Sequence, residues 1–221
     1  MINIDRSNFI WQVESLRFTL FFPKKHGVTN LWESITGLPP QNRTERPQEG
    51  LLVEDGIWED NTLAVSVRPE RIDIVISSSP VDIPELPNIG DLEVIILKAR
   101  NLLEKLHFDE VMRIAFGLIL LHPEQDHSNA YQSLEKLLPN VSIESDASNF
   151  LYQVTLPIQS EIDSSIRINS LRRFSASLMR LINFNINGIS NLNDVELFAT
   201  RLELDINTNK ETLLTQFFYW R

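Results

Sequence analysis

Thr62 to Arg68 and Arg71 to Ser77 are two runs of alternating apolar and polar residues with only Pro69-Glu70 between them. Successive side chains of a strand point to opposite faces, and a two-residue break containing proline leaves room for nothing but a tight reversal. The pair predicts an antiparallel hairpin, so any sheet that includes it is at least partly antiparallel. The run FIWQVESLRFTLFF from Phe9 to Phe22 alternates in the same way. Leu16, Phe18, Leu20 and Phe22 fall on one side of a period-two ribbon and Val13 falls out of phase, which predicts a long strand ended by Pro23-Lys24-Lys25-His26-Gly27.

After that break, Thr29 or Asn30 can cap a short helix carrying Leu31, Trp32 and Ile35, with Gly37 and Pro39-Pro40 as its stop. Residues 40–60 mix prolines and glycines with Glu45, Glu49, Glu54, Asp55, Glu59 and Asp60, and read as an acidic, mobile surface excursion. Past the hairpin, Pro80, Pro84 and Pro87 mark an extended connector, and the apolar residues from Leu92 to Leu106 recur at helical spacing. Met112 to Leu121 is an apolar run suited to a buried strand, closed by His122-Pro123, after which Ser128 caps a helix bearing Tyr131, Leu134, Leu137 and Leu138. Strands are expected over residues 150–158, 166–184 with an interruption, and 196–206, with Asn207-Thr208-Asn209 capping a C-terminal helix that runs to Tyr219. Strands grouped with helices, without regular βαβ alternation, predict an α+β fold with a mostly antiparallel sheet.

The chain also echoes itself. Asn30-Leu31-Trp32-Glu33-Ser34-Ile35 reappears as Asn129-Ala130-Tyr131-Gln132-Ser133-Leu134, each copy following a strand-like run and a proline-containing break. The echo divides the chain into an N-terminal half, residues 1–107, and a C-terminal half, residues 108–221, either as duplicated strand-helix-strand-strand units or as two amphipathic helices alike by convergence.

Composition narrows the function classes. There is no cysteine, which removes disulfides, thiolate nucleophiles and cysteine metal sites and suits a reducing compartment. Met1-Ile2-Asn3-Ile4-Asp5-Arg6 lacks the features of a secretory signal, and no apolar stretch approaches the roughly 20 residues of a membrane-crossing helix, so a cytoplasmic protein with no membrane partner is expected. A formal net charge of −10 disfavours nucleic acid unless the basic residues are gathered on one face. With only 7 glycines, the chain has no Walker loop or dinucleotide fingerprint, and it lacks a GxSxG elbow.

Four groups of residues carry chemistry. His122, Glu124, Asp126 and His127 are the densest metal-capable set, but their spacing matches no zinc motif and Pro123 blocks a helical HExxH arrangement. They read as a solvated polar turn, and no metal or cofactor is assigned. Arg167, Arg172, Arg173 and Arg180 are the candidates for anion binding; on a strand Arg167 and Arg173 share one face and Arg172 and Arg180 the other, with Glu161, Asp163, Glu196 and Glu203 as competing ion-pair partners. Asp205 and Glu203 share a strand face and could serve as a base, or Asp205 could pair with Arg201. Phe217, Phe218, Tyr219 and Trp220, together with Trp58, are the candidate partner-binding aromatics. The sequence therefore favours a non-enzymatic interaction or accessory protein that binds a protein partner or itself as a homo-oligomer. The rival is an enzyme or small-molecule binder holding an anionic ligand in a cleft between the halves.

Overall fold

The computed structural model describes residues 9–24, 30–79, 84–106, 108, 110–144, 146–161, 163–181 and 195–208. Its strands are β1 (Gln12–Phe21), β2 (Asn42–Arg46), β3 (Leu51–Trp58), β4 (Asn61–Arg68), β5 (Arg71–Ser78), β6 (Arg113–Glu124), β7 (Leu151–Gln159), β8 (Arg167–Leu181) and β9 (Val195–Thr208). The helices are α1 (Leu31–Thr36), α2 (Leu92–Glu104) and α3 (His127–Leu137), and a 3-10 turn lies at Pro47–Glu49. The nine strands make one sheet in the order β2-β3-β4-β5-β1-β6-β9-β8-β7, and the neighbouring pairs are antiparallel. The expected α+β class is thus met in a sheet-dominated form.

β1 lies at the middle of the sheet because it is apolar enough to be covered along one face and is paired on both edges, by β5 and by β6. Its register with β6 shifts between Val13 and Ser15. One extra residue in a strand re-aims everything beyond it, so the bulge returns Val13 to the face of Leu16 and Leu20, and all three are buried. This resolves the phase defect visible in the sequence.

The β1–β6 ladder is also the seam between the two halves of the chain. Strands up to Ser78 lie on one side of it and strands from Arg113 on the other. Each half follows one plan: a central strand, a helix, then a meander that works inward from the sheet edge until its last strand pairs with the central one. The first half carries an additional strand, β2.

The three helices cover one face. α2 is capped by Asp91, whose carboxylate accepts the N–H groups of Glu93 and Val94, and buries Ile95, Ala99 and Leu102 over β1 and the β4–β5 hairpin. α3 is capped by Asp126, which accepts the Asn129 N–H at 2.8 Å, rather than by Ser128. Asn30 occupies the cap position of α1 in a left-handed conformation (φ 62°) and its side chain makes no capping bond. A side chain supplies that first turn from elsewhere: the buried Glu54 accepts the Trp32 N–H at 3.2 Å.

Other segments depart from the sequence expectation for stated reasons. Residues 42–58 form the β2–β3 hairpin instead of a mobile excursion, because Glu54 faces the helix layer, where it also binds Arg43 at 3.2 Å. β6 runs on through Pro123, which pairs with Ala199 on β9. It can do so because β1 has ended at Gln12 opposite Leu121, so the missing N–H has no strand to bond. β8 is continuous from Arg167 to Leu181, and Asn207 and Thr208 belong to β9, not to a helix cap.

Neighbouring residues of β1 test this layering. Leu16→Ala empties a site that is 0% exposed and should lower the unfolding free energy by about 2–5 kcal/mol. Arg17→Ala on the opposite face removes only a half-exposed ion pair and should cost less than about 1 kcal/mol. Urea denaturation of the two variants measures the difference.

Candidate functional site

The face opposite the helices is built from the other parity of every strand, and its chemistry is unlike the chain as a whole. The register assigns to it Arg46, Arg68, Arg71, Arg17, Arg113, Arg201, Arg173 and Arg167, against Asp55, Asp73, Asp205 and Glu203, with Glu14 joining from the bulge through Arg201. None of the nine strands contains a lysine. A protein of net charge −10 therefore presents a sheet face on which arginine outnumbers acid. Guanidinium forks bind oxyanions and carboxylates directionally, whereas a lysine acts as a point charge.

Three rows of side chains cross this face. In the first, Arg17, Gly117 and Asp205 are aligned on β1, β6 and β9, and the Arg17 guanidinium reaches over Gly117 to Asp205 at 3.4 Å. A Cβ at position 117 would stand 3.4 Å from two guanidinium nitrogens of Arg17, in van der Waals contact with the fork that crosses there. In the second row Glu203 accepts from Arg173 at 2.8 Å and from Arg201, while Arg173 also donates to the Gln153 side chain on β7. In the third, Asp73 accepts from the Thr19 hydroxyl at 2.7 Å and from Arg71 at 2.7 Å, and Arg68 lies 3.6 Å away. The Phe21 ring beside it has the Arg71 and Arg113 guanidiniums over it, at 5.5 and 5.0 Å.

The register divides the four arginines singled out from the sequence as their parity requires. Arg167 and Arg173 share the helix-free face; Arg172 and Arg180 lie on the helix side. Arg173 pairs with Glu203 and Arg180 with Glu196 at 2.9 Å. The four do not converge on one point. Asp163 is engaged within its own turn: the Ser165 hydroxyl and backbone N–H both donate to it, which holds its carboxyl below the ordinary range. Asp205 is bonded to Arg17 and Asn207, not to Arg201. Arg17, Arg68, Arg71 and Arg113 went unnoticed in the sequence because Arg17, the Arg68–Arg71 turn and Arg113 lie far apart along the chain and come together only through the register.

The set read from the sequence as a polar turn is divided between the end of β6, which holds His122 and Glu124, and the start of α3, and its members have separate structural duties. His122 Nδ1 bonds to the Ile10 carbonyl at 3.0 Å and its ring packs against Phe9 and Trp11, Glu124 accepts the Thr200 hydroxyl, Asp126 caps α3, and His127 packs on Tyr131. Burial pushes the Tyr131 phenol up, and its hydroxyl donates to the Ala147 carbonyl. Among the described residues no three histidine, aspartate or glutamate side chains are gathered so as to hold a metal, and no helix is long and apolar enough to cross a membrane. Trp58 packs partly buried against the core, so it is not a freely exposed ring. Phe217, Phe218, Tyr219 and Trp220 lie outside the described residues.

The two sheet edges differ. β2 is five residues long, exposed throughout and charged at Arg43, Glu45 and Arg46, the usual protection of an edge. β7 is nine residues long and carries no charged side chain, with Leu151, Leu156 and Ile158 exposed at 63%, 41% and 44%. A scan against protein-family models finds no match to this chain, and neither does a search of curated proteins.

Asp73 is the carboxylate on which the helix-free face most depends, its side chain being 9% exposed and shared by three donors. Asp73→Ala should cost about 1.5–3 kcal/mol, the range for hydrogen bonds to a charged group. Asp205→Ala, which loses a half-exposed pair, should cost under about 1 kcal/mol. Thermal and urea unfolding of both variants checks the order.

Proposed function

We propose that this is a non-enzymatic interaction protein that pairs along β7 with a strand of a protein partner, a second copy of the chain included. The observation that carries the reading is the contrast between a charged, short edge at β2 and an uncharged, aliphatic one at β7. An unpaired strand edge is a template for another strand, and backbone hydrogen bonds supply the affinity.

Backbone geometry indicates which part of β7 is available. Residues of an antiparallel strand direct their N–H and C=O groups alternately to the two sides. Ser160 donates its N–H to Ile166 on the β8 side, so the even positions face inward and the odd ones outward. Pro157 then falls where its missing N–H is tolerated. The outward groups of Leu151, Gln153 and Thr155 form the window for a new strand, and Pro157 ends it. A twofold axis at Gln153 would set Leu151 opposite Thr155 of a second copy with no charge in the pair. That freedom matters for a chain carrying −10, whose other surfaces repel their own kind. The common plan of the two halves is also what a duplicated unit would produce, and a duplicated sheet built from a central seam would leave just such unpaired outer edges.

Light scattering across a concentration series tests the reading. A mass that rises with concentration, and returns to the monomer in Leu151→Lys/Thr155→Lys, which sets lysines opposite one another across the axis, while Arg43→Ala on the other edge has no effect, is the expected result. A monomer at every concentration, or association that the lysines leave unchanged, would overturn it.

A further inference from the structure

We propose that Arg71 and Arg113, which lie over the Phe21 ring on the helix-free face, and Arg68, which shares Asp73 with Arg71, form a binding site for a phosphate-type dianion. The proposal is independent of strand pairing at β7, which lies at the far edge of the sheet.

Charge singles out this corner. Arg68 and Arg71 share one carboxylate, Asp73, and Arg71 shares the Phe21 ring with Arg113. Asp73 is already engaged by the Thr19 hydroxyl, Arg71 and Arg68. Arg113 has no carboxylate partner among the described residues. Glu70, in the turn between Arg68 and Arg71, and Glu110, before β6, are exposed and make no ion pair among the described residues. Elsewhere on this face the positive charge is answered locally, Arg17 by Asp205, and Arg173 and Arg201 by Glu203 and Glu14. At this corner three guanidiniums stand against one buried carboxylate, a local excess of two positive charges before the exposed Glu70 and Glu110 are counted. A phosphoryl group carries roughly −1.5 to −2 at neutral pH, which matches that surplus; a carboxylate would leave half of it.

The donors here are also incompletely used. The Nε atoms of Arg71 and Arg113 are both buried and have no hydrogen-bond partner. A buried N–H without an acceptor is costly, and an acceptor brought in by a ligand beside these forks would offset that cost. Phe21 contributes the positioning. Its register neighbours on the two sides are Arg71 on β5 and Arg113 on β6, and both guanidiniums fold back over its ring. Attraction to the ring face holds two forks in place before any ligand arrives, so little further ordering is needed when an oxyanion binds between them. Strand rigidity fixes the spacing, and three oxygens of a phosphoryl group can each take a charge-assisted bond.

Inorganic phosphate and glycerol phosphate, titrated into the full chain by calorimetry at constant ionic strength, distinguish the free ion from a phosphomonoester as the source of the dianion. Saturable binding of either is expected, tighter for whichever is the natural form. Arg113→Gln removes a charge that no acid balances, so the variant should fold at least as well as the parent in phosphate-free buffer. Its affinity should fall about tenfold or more, the usual weight of one charge-assisted bond. Arg68→Gln, at an exposed position, should weaken binding in the same direction, and Arg180→Gln on the other face should leave it unchanged. Phosphate should raise the melting temperature of the parent and not that of Arg113→Gln. Absence of saturable binding in the millimolar range, or equal affinity in the parent and Arg113→Gln, would overturn the proposal.

Discussion

The antiparallel pairing of β1 with β6 is the constraint on which the remaining architecture rests. β1 is close to the start of the chain and β6 near its middle, yet their ladder runs from Gln12–Leu121 to Phe21–Arg113. Without it the chain would hold two small sheets, each with one more open edge. With it, the meanders on either side become one surface, and the rows Arg17–Gly117–Asp205 and Arg71–Phe21–Arg113 exist at all, because each crosses the seam. The layering follows from the same ladder. A strand paired on both edges must satisfy both faces with side chains alone, and β1 does so with Leu16 and Leu20 toward the helices and Arg17 and Thr19 away from them.

The two faces are stabilised by different physics. Under the helices, burial of aliphatic side chains dominates, with the buried Glu54 tying α1 to the β2–β3 hairpin through Trp32 and Arg43. On the other face the side chains hold one another through a mesh of arginine and carboxylate groups, most of them between a quarter and a half exposed. Such pairs contribute little to stability individually. Their weight lies in fixing the orientation of forks on a rigid sheet, which is a property of a recognition surface.

How much of this was legible in the sequence depended on range. The hairpin about Pro69-Glu70, the long strand ending at Phe22 and the helix after Leu92 were readable because their determinants are local: alternation, a two-residue break, helical spacing. Asp91 and Asp126 were equally local, and attention to the aspartate before each helical run would have identified both caps. Residues 42–58 misled because their acids resemble a solvated loop, and only the pairing with β4 shows that Glu54 points inward. The arginine surplus at Phe21 was beyond any local reading. Arg71 and Arg113 are adjacent only because β5 and β6 both pair with β1, and Asp205 meets Arg17 across 188 residues of chain.

Native-state hydrogen exchange of the backbone amides tests the central claim, that one continuous sheet joined at β1–β6 underlies every feature of the surface. The amides of Leu16, Phe18, Leu118 and their ladder neighbours should be among the slowest, and the strands on both sides of the seam should open only with global unfolding. Exchange of β6, β8 and β9 with a free energy and denaturant dependence independent of β1, β4 and β5 would contradict it, since the two halves would then be separate units and the face between them would not be a built surface.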